Sequence, residues 1–143
     1  MTILVTGGSG FLGKSLVKSL IKNGEEVISL SSKEADLCDS NSLNQYSNIK
    51  FKKIYHLAAW TQAGDFCLYH PGEQWIINQQ INTTVLKWWS ENQPQAMLIT
   101  MGTSCAYEEG MDLKEEFYLK GNPIDDLYTY AMTKRMMYIG QQS

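Results

Sequence analysis

Eight residues near the start of the chain, Thr6, Gly7, Gly8, Ser9, Gly10, Phe11, Leu12 and Gly13, leave little freedom in what it folds into. They follow Ile3, Leu4 and Val5, an apolar run of the length of one buried strand. They lead into residues 14–21. There Leu12, Leu16, Val17, Leu20 and Ile21 fall on one helical face, while Lys14, Lys18 and Lys22 fall elsewhere. Asn23 and Gly24 read as a left-handed cap that ends the helix. The order is strand, glycine turn, helix.

A strand that reverses into a helix within a few residues needs backbone conformations that glycine reaches cheaply. A pyrophosphate that hydrogen-bonds the same backbone needs the side chains out of its way. The helix beyond offers free N–H groups and a partial positive charge. Gly8, Gly10 and Gly13 fit the spacing G-x-G-x-x-G, and Gly7, Gly10 and Gly13 fit G-x-x-G-x-x-G. A lone glycine triplet is weak evidence. Set between a first strand and a capped amphipathic helix, it points to dinucleotide binding; a tight turn with no ligand is the alternative.

At 143 residues the chain suffices for one domain with a core. Twelve Lys and Arg against fifteen Asp and Glu give a net charge of −3, which argues against a nucleic-acid partner. No apolar run approaches membrane-spanning length, and the chain enters its first strand with no signal peptide in view. Cys38, Cys67 and Cys105 show no C-x-x-C pairing and read as reduced thiols of a cytoplasmic protein. His56 and His70 form no ligand pattern with a cysteine, so no metal site is expected.

Residues 26–30 read as a second strand. In a dinucleotide fold its end meets the adenosine ribose, where an acid holds the 2′-hydroxyl and repels a 2′-phosphate. Here Ser31, Ser32 and Lys33 come before any acid, with Glu34 next, which favours NADP slightly over NAD. Asp36 is a candidate for the adenine amino group and Leu37 for the ring face. Asp39 or Ser40 is equally a candidate N-cap for a short helix through Leu43 and Tyr46. Residues 54–59 read as a third strand that ends in two alanines, Ala58 and Ala59, as a strand would if its end ran close beneath a cofactor. His56, inside that strand, reads as a satisfied core histidine. Residues 60–72 read as irregular, with Thr61 or Gln62 in reach of a substrate. Residues 73–92 form a long helix with an apolar stripe of Ile76, Ile77, Ile81, Val85 and Leu86, interrupted by Asn78. Residues 96–101 are a fourth strand. Strand–helix alternation of this kind predicts an α/β fold, a Rossmann-type parallel sheet with flanking helices.

The chemistry lies beyond the fourth strand. Tyr130 and Lys134 are four residues apart at the start of a last helix and share a face. A phenol titrates near 10, too high for a base at neutral pH, and a nearby ammonium lowers it. Lys134 is also placed to hydrogen-bond a nicotinamide ribose. A hydroxyl from Thr103 or Ser104, at the end of the neighbouring strand, would orient a carbinol or carbonyl.

Taken together, these residues resemble the N-terminal part of the NAD-dependent epimerase/dehydratase family, the extended short-chain dehydrogenases/reductases. Residues 6–13 match the family's cofactor motif, Leu57, Ala58 and Ala59 its third-strand end, Asn78 its helix asparagine, and Tyr130 with Lys134 its catalytic pair. The resemblance implies cofactor contacts from all of these. It also places the catalytic hydroxyl four residues before a tyrosine, which counting back from Tyr107 makes Thr103. Within the family the chain is most similar to nucleotide-sugar epimerase-reductases of the GDP-L-fucose synthase type, on residues 102–107 and the acid-poor second-strand end. That likeness implies NADPH, a nucleotide-sugar substrate, and a proton-moving cysteine matched by Cys105, which is otherwise a small buried hydrophobe.

A fold of this type needs two βαβαβ halves, and the chain ends at Ser143, nine residues after Lys134. Residues 1–143 are therefore expected to be a partial NAD(P)-binding Rossmann domain, truncated after the Tyr/Lys helix and without the C-terminal substrate lobe. Adjacent Trp88 and Trp89 cannot both face the sheet, and family members pair through this region, which implies a homodimer. A non-catalytic NAD(P)-binding module is the competing reading. A methyltransferase would leave Tyr130 and Lys134 without a task.

Overall fold

The computed structural model describes residues 1–61 and 66–143. It divides into two compact units: Met1–Ala59 with Gln80–Thr100, and Trp60–Gln79 with Met101–Ser143.

The first unit holds β1 (Thr2–Thr6), α1 (Phe11–Lys22), β2 (Val27–Leu30), β3 (Phe51–His56), the second half of a long helix, and β4 (Met97–Thr100). All pairings are parallel, in the order β2-β1-β3-β4. Every residue of β1 is buried, as its apolar run and central place require. The register aligns the last residue of each strand: Leu30 with Thr6, Thr6 with His56, and His56 with Thr100. Successive connections from β1 thus leave to opposite sides, which makes the carboxyl ends of β1 and β3 a topological switch point. His56 is buried in that row. Its Nδ1 meets the Thr6 hydroxyl at 2.8 Å and its Nε2 meets Asn82 Oδ1 at 3.2 Å, the satisfied core histidine expected.

The Asn23 and Gly24 cap forms as expected. Gly24 takes φ +78°, its N–H donates to Ile21 O, and Glu25 N–H donates to Leu20 O, the paired bonds of a Schellman cap. The α1 stripe is narrower than its periodicity implies. Leu16, Val17 and Leu20 are half-buried, but Leu12 and Ile21 are exposed, Ile21 at 59%.

Two elements of this unit differ from the sequence reading. The third strand starts earlier, at Phe51, and ends at His56, so Leu57, Ala58 and Ala59 lie just beyond it. The link from β2 to β3 contains no α-helix among the described residues, only a single 3-10 turn at Asn44–Tyr46. Its Asp, Ser and Asn side chains compete for the backbone: Asp36 accepts from Cys38 N–H at 3.0 Å and Asp39 from Asn41 N–H at 2.9 Å. Asp39 thus caps a turn rather than a helix, while buried Ala35, Leu37 and Leu43 pin the link to the unit.

The long helix is α3 (Pro71–Asn92), shared in sequence by the two units. Its buried line is Gln74, Asn78, Ile81, Val85 and Trp88. Ile76 lies outside it at 58% exposure, because the face turns with the residues that pack rather than with every apolar one. Trp88 is buried with its indole N–H on Ser47 Oγ, 2.9 Å. Half-buried Trp89 donates to Ala96 O at the same distance.

The second unit contains α2 (Phe66–Tyr69), the first part of α3, and α4 (Tyr128–Gln142). Short 3-10 turns occur at Ser104–Ala106, Glu115–Phe117 and Asp125–Leu127. The helical turn α2 falls where an irregular segment was expected. Phe66 anchors it, edge-on to Trp60 at 4.7 Å and stacked on His70 at 4.6 Å. Gln62 lies outside the described residues.

Candidate functional site

In the first unit, the glycine turn is built so that side chains cannot enter it. Gly7 takes φ +70°, and a Cβ on it would lie 2.7 Å from Ala58 N and 2.9 Å from Leu57 C. The small residues after β3 and the first glycine therefore meet backbone to backbone at the switch point. A Cβ on Gly13 would fall 2.2 Å from Gly7 O, so α1 starts hard against the turn. A Cβ on Gly8 would strike Ser29 Oγ. Gly10 differs: its Cβ would meet only Gly7 O, at 3.2 Å, with open space beyond. Three glycines are needed for packing, and the fourth keeps a surface bare.

That surface suits a pyrophosphate. Ser9, Gly10, Phe11 and Leu12 are exposed, Phe11 at 99%. The first turn of α1 contains no acid, and its leading N–H groups have no acceptor within the helix. The cradle and its donors fit a dinucleotide.

At the end of β2, Glu34 folds back onto Ser31. Its carboxylate accepts from Ser31 N–H at 2.8 Å and from the Ser31 hydroxyl. Both bonds hold the Glu34 carboxyl below its usual range. Ser31 Oγ also accepts from Lys33 N–H at 3.2 Å. Ser32 and Lys33 remain exposed, as does Asp36, whereas Leu37 is buried. The acid read as too late in the sequence is therefore seated at the strand end after all.

In the second unit, Asn78 is 4% exposed and spends its whole amide on the backbone. Its Oδ1 accepts from Trp60 N–H at 2.9 Å. Its Nδ2 donates to Trp60 O at 2.9 Å and to Gln74 O at 2.8 Å. The helix asparagine is a clamp on the residue that follows Ala59.

The same unit brings Thr103, Tyr130, Lys134 and Cys105 together. Thr103 stands just before the Ser104–Ala106 turn and caps it, accepting from Cys105 N–H at 3.3 Å. Its side chain stands near enough to the Tyr130 phenol to favour the ionised form. Burial outweighs that effect and pushes Tyr130 above the usual phenol range, helped by the nearby thiols of Cys105 and Cys67. The Lys134 ammonium lies over the face of the Tyr130 ring, 6.0 Å from its centroid, rather than on its oxygen. Burial lowers Lys134. The expected lowering of the phenol by Lys134 does not occur in this geometry, because the charge faces the ring and desolvation acts on both groups. A neutral phenol is a proton donor. A cleft of about 420 Å³ adjoins this cluster, lined by Cys67, Tyr69, Asp125, Asp126 and Thr129 among others.

Sequence reasoning missed Arg135. It is 6% exposed and has backbone carbonyls as its ligands: Ala106 through Nε and Nη2, Gly121 through Nη1 and Lys120 through Nη2. Nothing in one helical arginine distinguishes a buried clamp from a solvated charge, since its acceptors lie 14 to 29 residues away.

Comparison with known proteins gives the family and the fold. The profile of the NAD dependent epimerase/dehydratase family matches residues 3–142. The GDP-L-colitose synthase of Yersinia pseudotuberculosis is 28% identical over 137 residues, 94% of this chain and 44% of that protein. The chain thus spans less than half the length of that curated relative. A GDP-L-fucose synthetase structure from Naegleria fowleri superposes with TM-score 0.80 at 25% identity, covering 96% of this chain and 42% of its own. A Campylobacter jejuni GDP-D-glycero-L-gluco-heptose synthase, solved in the presence of NADPH, has the same fold. Its TM-score is 0.85 at 22% identity, covering 97% of this chain and 42% of its own.

Proposed function

Since the chain belongs to the NAD-dependent epimerase/dehydratase family, we propose that it carries the dinucleotide cradle and the acid–base group of a nucleotide-sugar epimerase or reductase. The relatives' names point to GDP-linked sugars as the substrate class. The observation that carries the reading is the half-buried Tyr130 phenol beside Thr103, with the Lys134 ammonium over its ring one helical turn on.

Residues 7–13 would hold the pyrophosphate of NAD(P), Ser31, Ser32, Lys33, Asp36 and Leu37 would flank its adenosine, and Leu57, Ala58 and Ala59 would leave room beside it. A dinucleotide held there would supply hydride chemistry at a sugar carbon. Tyr130 gives its proton to the oxygen of the sugar carbonyl in reduction and takes it back in the reverse sense. Thr103 hydrogen-bonds the same oxygen and holds it in line. Lys134 orients the nicotinamide ribose and supports the phenolate that remains. Cys105 is placed for proton exchange at a neighbouring carbon. The Asp125 and Asp126 carboxylates of the adjoining cleft are acceptors for sugar hydroxyls.

The preference for NADP rests on Ser32 and Lys33, and the Glu34 carboxylate opposes it. A homodimer through α3 remains part of the reading, with exposed Ile76 as an apolar contact. So does a cytoplasmic location, since all three cysteines are free.

The test has two arms. Titration of the folded chain with NADPH and NADH, followed by tryptophan fluorescence, is expected to saturate; no binding of either overturns the cofactor reading. In a chain that carries a substrate lobe, Tyr130→Phe is expected to keep dinucleotide binding and lose reduction of a GDP-linked keto sugar. Undiminished turnover in that variant removes Tyr130 from the chemistry.

A further inference from the structure

We propose that Tyr118 is a positioning residue, whose hydroxyl against Gly102 sets where Thr103 stands relative to Tyr130. The inference rests on reading Thr103 and Tyr130 as the acid–base pair.

Tyr118 is the middle ring of a ladder within the second unit. Tyr107 meets it edge-on at 5.6 Å and Tyr138 at 5.4 Å. Tyr107 ends the Ser104–Ala106 turn that Thr103 begins, and Tyr138 sits on α4, eight residues after Tyr130. The ladder therefore joins the turn carrying Thr103 to the helix carrying Tyr130. The ring also reaches the residue before Thr103. A Cβ on Gly102 would lie 3.2 Å from Tyr118 Oη and 3.5 Å from Cε2 and Cζ. The phenol seats where a side chain at 102 would begin.

The hydroxyl itself is not explained by stability. It is buried and makes no hydrogen bond of good geometry among the described residues. The Thr103 amide, close enough to favour its ionised form, is outweighed by burial. A buried hydroxyl without a full partner is destabilising, and phenylalanine would fill the same ladder without it. What the hydroxyl adds is its seat against Gly102, the residue before Thr103. Thr103 has two tasks that depend on its exact place: its oxygen accepts from Cys105 N–H, and it stands near enough to the Tyr130 phenol to favour the ionised form.

The experiment compares the 143-residue chain with Tyr118→Phe, which keeps the ring ladder. The unfolding midpoint is expected to stay or rise. Exchange of the Cys105 amide at neutral pH is expected to speed by about tenfold, as a local opening no longer held shut. The Tyr130 phenol, followed by 13C-tyrosine NMR and assigned with Tyr130→Phe, is expected to titrate about half a unit higher, because support for its ionised form is weakened. Thr103→Val should raise the same titration, and the double variant should raise it no further. An unchanged Cys105 exchange rate and Tyr130 titration in folded Tyr118→Phe overturn the proposal. So do shifts that add in the double variant, and so does a loss of stability with no change at Cys105. None of these readouts uses cofactor or substrate, so their failure is separable from failure of the enzymatic reading.

Discussion

Arg135 Nε donates at 2.9 Å to the carbonyl oxygen of Ala106, a residue 29 positions earlier. Ala106 closes the turn that Thr103 opens, and Arg135 immediately follows Lys134. With further bonds to Lys120 O and Gly121 O, one guanidinium ties both ends of the loop to α4. The loop has little helix or sheet to order it, so these carbonyl bonds stand in for a ladder.

Arg135→Lys is therefore expected to be far from conservative. A lysine keeps the charge but cannot fork to three carbonyls. Losing charge-assisted bonds and leaving buried acceptors unmet should cost about 3 kcal/mol. Urea unfolding of the variant checks this, and a midpoint equal to that of the parent would show that the carbonyls find other donors.

Gly13 and Gly10 should separate packing from binding. Gly13→Ala drives a Cβ into Gly7 O and Gly8 Cα, backbone that cannot rotate away. It is expected to lose both stability and dinucleotide binding. Gly10→Ala meets only Gly7 O at 3.2 Å and is expected to fold, by circular dichroism, while binding NADPH and NADH about tenfold more weakly. Equal binding by Gly10→Ala would mean that its bare surface faces no phosphate.

Lys134 makes stability depend on alkaline pH. Burial lowers its folded-state value below the usual lysine range, so burial of the ammonium is destabilising while the group is charged. In the window between the lowered value and the unfolded value of about 10.4, the unfolded chain binds the extra proton and stability rises with pH. Tyr130 acts in the opposite sense: its raised value makes stability fall as pH climbs past the unfolded phenol value of about 10. Lys134→Met is expected to be more stable than the parent at pH 7 and to lose the alkaline rise. Denaturation midpoints from pH 7 to about 11.5 check both signs, Lys134 below about 10 and Tyr130 above it.

Glu34 should set the cofactor ratio. Its carboxylate, held on Ser31, faces the solvent side of the β2 end where Ser32 and Lys33 lie exposed. Glu34→Gln removes a negative charge from the neighbourhood of a 2′-phosphate. NADPH binding is expected to tighten relative to NADH by about tenfold, with NADH little changed, in parallel fluorescence titrations. An unaltered ratio would place the adenosine ribose away from this loop.

Much of this was legible in local pattern. The glycine turn, its flanking strand and helix, the Gly24 cap and the Tyr130 and Lys134 spacing are set by residues a few positions apart. Backbone sterics and helical periodicity act at that range. The missing helix before β3 was a misreading of Asp, Ser and Asn residues whose side chains capture nearby amides. The roles of Asn78, Arg135 and Glu34 were not legible. Each is a common polar residue whose meaning lies in its partner: Trp60 for Asn78, Ala106 for Arg135, and a fold-back onto Ser31 for Glu34.

By itself the sequence determined a parallel α/β fold with a glycine turn between its first strand and helix, because glycine conformations and apolar periods are local properties of the chain. Only the tertiary structure decided the protonation of the site. Whether Lys134 lowers the Tyr130 phenol depends on where its charge stands and how much water both have lost. Here the ammonium lies over the ring and burial prevails, so the phenol is pushed above its usual range rather than below it. Desolvation is a property of everything packed around a group, and no spacing along the chain records it.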